Sequence, residues 1–227
     1  AMGICGSSDS EAKWSKEAPR DKTLKWSYDF KLQPTKPKNK IKDPGYYKAK
    51  GLKGEMWARG PGTINGDQIQ VEDCEDCDFF LCDEMDSLVV DDCTNCRFFV
   101  GPTSGSAFLR TSSHCKVVIA CGQLRLRECK DMDFAIFCNS KPVIESSKRI
   151  TFCCFDGYYF NLKEQFDATK MSVFNNRWSE IHDFTPQSTN WSFSEPTLRL
   201  LDFVKPLSTG IPDLITPEEE SNPHKEM

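Results

Sequence analysis

Two arginines on one short predicted strand are the residues of this chain whose type and spacing best fit a chemical role. Within residues 123–129, the first five alternate between polar and apolar side chains, which is typical of a half-buried β-strand. Side chains alternate between the two faces of a strand, so Leu124 and Leu126 are predicted to face inward. The outer face then carries Gln123, Arg125 and Arg127. A guanidinium binds carboxylates and phosphates through its planar fork of donors, so the neighbours of each arginine decide its use.

The strand belongs to a repeat with a period of roughly 18 residues. Tetrads related to C-x-x-C recur along the chain, and each has an alternating segment before it and another after it. The tetrads are Cys74–Cys77, Cys93–Cys96, Ser112–Cys115, Cys129–Met132 and Ser147–Ile150. This period is too short for paired helices and matches one coil of a parallel β-helix, in which neighbouring coils stack about 4.8 Å apart. We therefore predict a mainly β protein built as a parallel β-helix.

Stacked coils place equivalent residues in columns, and the predicted inward columns have consistent chemistry. One is aliphatic throughout: Val71, Val90, Leu109, Leu126 and Ile144. A second contains Ile69, Leu88, Ala107, Leu124 and Pro142. A third, after the tetrads, contains Phe79, Phe98, Val117, Phe134 and Phe152.

The two arginines fall in outer columns of different character. The column of Arg127 reads Glu72, Asp91, Arg110, Arg127, Glu145, which predicts ion pairs Asp91–Arg110 and Arg127–Glu145. Arg127 is then most simply a structural residue. The column of Arg125 reads Gln70, Val89, Phe108, Arg125, Val143 and contains no acid. An arginine on an apolar outer patch indicates a partner-facing surface; the alternative is a solvated arginine stacked on Phe108.

The tetrads also fit a zinc-binding spacing. Cys74-x-x-Cys77 and Cys93-x-x-Cys96 meet the C-x₂-C-x₁₅-C-x₂-C pattern. Serine, methionine and isoleucine occupy the equivalent positions of later tetrads, so we predict buried turn residues and no metal. Twelve cysteines without a secretory signal indicate reduced thiols in the cytoplasm.

Charge and composition divide the chain into three parts. Residues 1–53 contain 13 Lys+Arg and 6 Asp+Glu, a net charge of +7, whereas the remainder carries 16 - 28 = -12. We predict a basic, mostly flexible tether over 1–45, a β-helix domain over 46–200 and a mobile tail over 201–227. Dense organisation is expected from Gly60 onward, with a helix between Tyr158 and Lys170. Residues 157–200 are expected to cover the end and side of the stack.

The start of the chain contains a lipidation pattern. Met2-Gly3-Ile4-Cys5-Gly6-Ser7 fits myristoylation of Gly3 after removal of Met2, with Cys5 placed for palmitoylation. Stable anchoring needs two acyl chains, so the pair predicts a membrane-bound protein. The alternative is a chance match to a short pattern.

These residues resemble the tubulin-folding-cofactor-C domain family over about residues 45–200. The tetrads, the Gln-x-Arg strand and the segment FNNRWSEIHDFTP carry the resemblance. It implies a right-handed parallel β-helix with a C-terminal helix and loop cap. It also implies a GTPase-activating protein that supplies an arginine finger in trans to an Arf-like small GTPase, the third Arf-like type. GTP and Mg²⁺ would belong to the partner, and this chain would have no cofactor of its own.

The resemblance also implies site residues. Arg125 falls on the finger position with Gln123 as its motif partner, and Glu145 and Phe184 match positions of GTPase contact, with His182 and Asp183 beside them. Phe108 and Arg127 complete the candidate partner-binding set. The implied setting is the cytoplasmic face of the plasma membrane and the ciliary base, with a role in release or transport of lipidated cargo.

Other functions stay open or are disfavoured. A non-catalytic effector or scaffold of the GTP-bound GTPase and a tubulin-folding cofactor acting on the GTPase of tubulin are the alternatives. A stand-alone enzyme is disfavoured because the chain has no P-loop and no Ser-His-Asp pattern, and its histidines are scattered. No nucleic-acid partner is expected.

Overall fold

The computed structural model describes residues 43–157, 159 and 161–194, which fall within one compact unit. The strands are β1 Lys48–Lys50, β2 Met56–Arg59, β3 Ile69–Glu72, β4 Asp78–Leu81, β5 Leu88–Asp91, β6 Arg97–Arg110, β7 Lys116–Arg127, β8 Lys130–Cys138, β9 Val143–Glu145, β10 Lys148–Cys154, β11 His182–Asp183 and β12 Trp191–Phe193. Helix α1 spans Leu162–Ala168, and two 3-10 turns span Pro44–Tyr47 and Val173–Asn175. The predicted lipidation sites Gly3 and Cys5 and the tail 201–227 lie outside the described residues. Of the described helices, none is long and apolar enough to cross a membrane.

The strands pair in parallel around a β-solenoid of about six turns, so the predicted mainly β, parallel β-helix fold is confirmed. Two ladders run along it. Sheet A contains β1, β3, β5, the C-terminal parts of β6 and β7, then β9 and β11. Sheet B contains β2, β4, the N-terminal parts of β6 and β7, then β8, β10 and β12. Strands β6 and β7 run through both sheets.

The register confirms the predicted inward columns. Val71, Val90, Leu109, Leu126 and Ile144 are successive partners in sheet A. Phe79, Phe98, Val117, Phe134 and Phe152 are successive partners in sheet B. The rings of Phe79 and Phe98 stack with centroids 4.8 Å apart and both are fully buried. In-register pairing therefore gives the core continuous stacks of apolar side chains.

Each tetrad forms a corner with two left-handed backbone positions, one immediately before its first residue and one immediately before its last. These positions, with φ between 50° and 58°, are Asp73, Asp76, Asp92, Asn95, Thr111, His114, Glu128, Asp131, Ser146 and Arg149. Asp and Asn tolerate this region better than most side chains, which explains their frequency here. Short bridges join the corners of successive coils.

The tetrad cysteines and serines share one structural role. Cys93 Sγ donates to the carbonyl of Asp91 at 3.3 Å, and Ser112 Oγ donates to that of Arg110 at 2.9 Å. Ser147 Oγ makes the same contact with the carbonyl of Glu145. A buried thiol and a buried hydroxyl thus donate to the equivalent backbone carbonyl in different coils. This explains why either cysteine or serine can occupy the first position of a tetrad. Within the described residues, no group of three or more His, Cys, Asp and Glu side chains is placed to hold a metal ion.

The stack begins earlier and ends later than the predicted repeats, although its strands lie within residues 46–200, where the β-helix domain is predicted. Its first coil is already formed by β1 and β2, so the prediction that dense organisation starts near Gly60 is wrong. This coil turns at Gly51 and Gly54, both with positive φ, and lies 22 residues before its successor. The final coil is built by β11 and β12, beyond the last predicted repeat.

Helix α1 lies on the side of the stack, within the predicted helical segment but shorter than it. Gln165 of α1 donates from Nε2 to Asp83 Oδ1 at 3.3 Å and accepts from the Tyr159 hydroxyl. Asp83 is buried and accepts from the backbone N–H groups of Ile64 and Asn65 at 2.7 and 2.8 Å. Burial raises the pKa of both Asp83 and Tyr159. This network fastens the cap to the middle coils.

Replacing a core phenylalanine is expected to cost far more stability than replacing an exposed one. Phe98→Ala removes a ring from the buried stack, and we expect the free energy of unfolding to fall by about 3–5 kcal/mol. Phe174→Ala is the matched control, because Phe174 is 97% exposed, and its change should stay within about 0.5 kcal/mol. Urea denaturation followed by circular dichroism measures both. Equal midpoints for the two variants would contradict the stacked core.

Candidate functional site

The outer column of sheet A that contains Arg125 has the predicted order. Val89, Phe108, Arg125 and Val143 are successive partners across β5, β6, β7 and β9. Strand β11 adds His182 opposite Val143, a neighbour that the repeat alone does not reveal. The Arg125 guanidinium carbon lies 5.7 Å from the centroid of the Phe108 ring, within cation–π range.

Gln123 holds the Arg125 side chain. Arg125 Nη2 donates to Gln123 Oε1 at 3.2 Å, and Ser106 Oγ donates to the same oxygen at 3.3 Å. An amide carbonyl is a neutral partner, so Arg125 keeps its positive charge uncompensated. Guanidinium has five N–H donors, so most of them remain available on the exposed face.

Every other exposed arginine of the described residues has a carboxylate partner. The exposed Arg110 and Arg149, and the half-buried Arg97, each make two hydrogen bonds to an aspartate of the neighbouring coil, at 2.5–2.7 Å. Arg177 pairs with Glu180. The half-buried Arg59 donates to backbone carbonyls and lies against two aromatic rings. Within the described chain, Arg125 is therefore the one exposed arginine without an acidic partner.

The prediction for Arg127 is partly wrong. Its column is confirmed, and the Asp91–Arg110 pair forms with a closest distance of 2.6 Å. Arg127 Nε, however, lies 3.3 Å from Glu128 Oε1 and makes no ion pair with Glu145. Glu128 occupies the left-handed corner that follows β7, which brings its carboxylate back beside its neighbour. The Glu145 side chain consequently has no ion-pair partner within the described part of the chain.

The segment at strand β11, which rejoins sheet A after helix α1, contributes an aromatic edge to this surface. Phe184 is 63% exposed and packs edge-on against His182, with ring centroids 4.6 Å apart. Asp183 faces the other way, because it continues the inward column after Ile144. Its carboxylate accepts hydrogen bonds from Thr185 and Asn190 and so holds the turn. The structure therefore places His182 and Phe184 on the outer face and Asp183 behind it.

Two features of this surface were missed from the sequence. The first is an ion pair between Lys141 Nζ and Glu180 Oε2, 3.3 Å apart, which ties the chain before β11 to the preceding coil. Arg177 also pairs with Glu180. The Arg177 and Lys141 contacts hold the pKa of Glu180 below its usual value. Ser106 is the second feature, and only the short 17-residue spacing to Gln123 could have indicated it.

The arrangement presents an uncompensated positive charge and available N–H donors, which suit an anionic group. Gln123 and Arg125 provide donors on an exposed, largely apolar sheet face, and His182 packs against an aromatic ring. We name the surface formed by Phe108, Gln123, Arg125, Val143, Glu145, His182 and Phe184 the finger face.

Comparison with known proteins gives the family. The sequence profile described as Tubulin binding cofactor C matches residues 66–184. The chain is 44% identical over 164 residues to Protein XRP2 of Danio rerio, covering 71% of this chain and 44% of that protein. It is 40% identical over 198 residues to Protein XRP2 of Homo sapiens, covering 86% and 54%. Tubulin-specific chaperone C of Homo sapiens is 24% identical over 162 residues, covering 64% and 47%.

The chain spans about half the length of these curated relatives. The profile covers just over half of the 227 residues and includes every residue of the finger face. On this match, the chain belongs to the tubulin binding cofactor C family.

Proposed function

We propose that this protein is a GTPase-activating protein for an Arf-like small GTPase, the third Arf-like type, and that Arg125 is its arginine finger. One observation carries the proposal: within the described chain, Arg125 is the only exposed arginine without an acidic partner. The similarity of the chain to Protein XRP2 supports a related function. The identity of the GTPase rests on the family resemblance.

The proposed reaction asks one thing of this chain. Hydrolysis of GTP builds negative charge on the equatorial oxygens of the transferred phosphoryl group, while the GTPase itself holds the nucleotide, Mg²⁺ and the attacking water. A guanidinium inserted from outside stabilises that charge. The chain then acts as an activator that contributes a catalytic arginine to a partner's active site and has no active site of its own.

Gln123 and Phe108 prepare Arg125 for insertion. A long arginine side chain loses rotamer freedom when it is ordered, and holding it before binding reduces that cost. The hydrogen bond to Gln123 Oε1 and the contact with the Phe108 ring supply this ordering without neutralising the charge. A lysine lacks the planar fork and could not bridge two phosphate oxygens in the same way.

The rest of the finger face provides the docking surface. Phe184 and Val143 supply apolar area, and two residues along β9 Glu145 supplies a carboxylate that forms no ion pair with the described residues. A positive and a negative group at fixed separation favour one orientation of a charged partner. Arg127 lies beside Glu145, where it would interact with a partner once Glu128 is displaced.

We extend the proposal to the location of the protein in the cell. Acylation at Gly3 and Cys5 would anchor the protein at the cytoplasmic face of the plasma membrane, with the ciliary base as the expected site. Hydrolysis there would switch off the GTPase and so control release or transport of lipidated cargo.

Two alternative functions predict different experimental results. A non-catalytic effector or scaffold would bind the GTP form and leave hydrolysis unchanged. A tubulin-folding cofactor would act on the GTPase of tubulin; the name Tubulin-specific chaperone C of a 24%-identical relative favours testing it.

Removing the guanidinium is expected to abolish activation. Arg125→Ala should lower the single-turnover rate of GTP hydrolysis by the Arf-like GTPase by about 10³-fold or more, because the finger's charge stabilisation is lost. Phosphate release from the GTP-loaded GTPase, at saturating activator, measures this. Arg125→Lys should recover only a small part of the rate.

The matched control is Arg149→Ala, which also removes an exposed arginine but one paired with Asp131 at a corner of the stack. It should leave the rate unchanged. If Arg125→Ala kept full activity while binding was intact, the finger assignment would be wrong. If the unaltered protein bound the GTP form without hastening hydrolysis, the scaffold alternative would hold, and stimulation of tubulin's GTPase alone would favour the cofactor alternative.

Removing the aromatic edge is expected to weaken docking. Phe184→Ala should raise the dissociation constant for the GTPase loaded with a non-hydrolysable GTP analogue by about tenfold or more, as expected of an exposed aromatic anchor. Isothermal titration calorimetry measures the constant. Phe174→Ala is the control, since Phe174 is even more exposed but lies in the 3-10 turn outside the finger face. Equal affinities for the two variants would place docking elsewhere.

A further inference from the structure

A serine one coil before Gln123 takes part in holding the finger. Ser106 lies on β6 directly opposite Gln123 on β7, just as Phe108 lies opposite Arg125. Ser106 Oγ donates to Gln123 Oε1 at 3.3 Å, and Arg125 Nη2 donates to the same atom at 3.2 Å. Three side chains from two coils therefore meet at one carbonyl oxygen.

This convergence fixes which way the Gln123 amide points. An amide carbonyl oxygen has two lone pairs, and the two donors use both. A flipped amide would set its NH₂ group against the hydroxyl proton and the guanidinium, so that orientation is disfavoured. We call the linked side chains of Ser106, Gln123 and Arg125 the relay. The Gln123 Nε2 donors are consequently directed away from it, toward solvent and toward any partner on the finger face.

The backbone of this coil is shortened in a way that creates the pairing. The register between β6 and β7 shifts twice, between Val100 and Thr103 and between Thr103 and Ser106. As a result Ser106 and Gln123 are separated by 17 residues, whereas Asp91 and Arg110 on the previous coil are separated by 19. Without the two shifts a different residue would lie opposite Gln123.

Two glycines make the shortened corner possible. A Cβ at Gly122 would lie 2.5 Å from the carbonyl oxygen of Ser104 and 2.7 Å from that of Gly105. A Cβ at Gly105 would lie 2.7 Å from the carbonyl oxygen of Asp86. Real side chains do not tolerate such approaches to backbone, so glycine at both positions lets the coils close up beneath the finger.

We propose that Ser106 is a positioning residue for Arg125 and acts through Gln123. This inference rests on the proposed function, because it assigns Ser106 a part in GTPase activation. In the free protein the hydroxyl restricts the guanidinium; in the complex, where water is excluded, the same bond strengthens and keeps the fork aimed at the developing charge. Ser106 itself touches neither nucleotide nor reacting water.

The test replaces the hydroxyl and follows both rate and order. Ser106→Ala should lower the single-turnover hydrolysis rate at saturating activator by about two- to tenfold, the value of one lost hydrogen bond. The affinity for the GTPase loaded with a GTP analogue should stay the same. Ser106→Thr, which keeps a hydroxyl, should restore most of the rate. In the free protein, the ¹⁵Nε order parameter of Arg125 should fall in Ser106→Ala and in Gln123→Ala.

The matched control is Ser104→Ala. Ser104 lies two residues earlier on β6, is exposed, and donates to the carbonyl of Met85 at 3.3 Å, away from Gln123. It should change neither the rate nor the Arg125 order parameter. In a double-mutant cycle, Ser106→Ala should have no further effect on the rate once Gln123 is alanine.

The outcomes separate the relay from the proposed function. If the unaltered protein fails to hasten hydrolysis, the proposed function fails, while a selective loss of Arg125 order in Ser106→Ala still supports the relay. An unchanged Arg125 order parameter in Ser106→Ala would overturn the inference. Equal rate losses in Ser106→Ala and Ser104→Ala would likewise overturn it, since they would report a general change in β6.

Discussion

The structure depends on one constraint: parallel strands of successive coils must pair in register. Hydrogen bonding at about 4.8 Å spacing stacks each residue directly over its equivalent in the next coil. A column then works only if its members are compatible with one another. Phenylalanines stack on phenylalanines in sheet B, and aliphatic side chains stack on aliphatic ones in sheet A. The same rule governs the outer face, where charged columns must alternate in sign or find another partner.

That rule explains why Arg125 stands apart. Arg97 and Arg110 meet an aspartate one coil away because their columns supply one. The column of Arg125 supplies Phe108 on one side and Val143 on the other, so pairing in register leaves the guanidinium without a counter-charge. Gln123 and Ser106 order the side chain but do not neutralise it. A surface that orders an arginine and leaves its charge intact is suited to a negatively charged partner rather than to stability.

The sequence predicts the middle of the stack well because a tetrad marks each coil and so defines both register and face, even though the spacing varies between 17 and 19 residues. Columns through Val71 and Phe79 follow from aligning the tetrads. Prediction fails where no tetrad can be recognised. The first coil is 22 residues long and turns at Gly51 and Gly54, so its resemblance to the later tetrads is hidden. Strand β11 returns to the ladder only after a long excursion, and no period connects His182 to Val143.

The errors at the site have equally local causes. The Arg127–Glu145 pair follows from the column, but Glu128 at a left-handed corner is closer and competes for the guanidinium. The position of Ser106 opposite Gln123 depends on two register shifts between β6 and β7, which the sequence pattern does not predict. Alternation along β11 would place Asp183 inward had its pairing been known. In each case periodicity predicts which residues are neighbours, and corner geometry decides which of them interact.

Two different parts of the structure therefore hold the residues of the finger face in place. Phe108, Gln123 and Arg125 lie on long strands in the middle of the stack, where the columns hold them rigidly. His182 and Phe184 join only because the chain leaves the stack after β10 and rejoins it at β11. The buried Asp83–Gln165–Tyr159 network fastens the start of that excursion, and the Lys141–Glu180 pair fastens its return. The repeat thus positions Arg125 and the cap positions the aromatic edge, so a change in the cap can move His182 and Phe184 without moving the arginine.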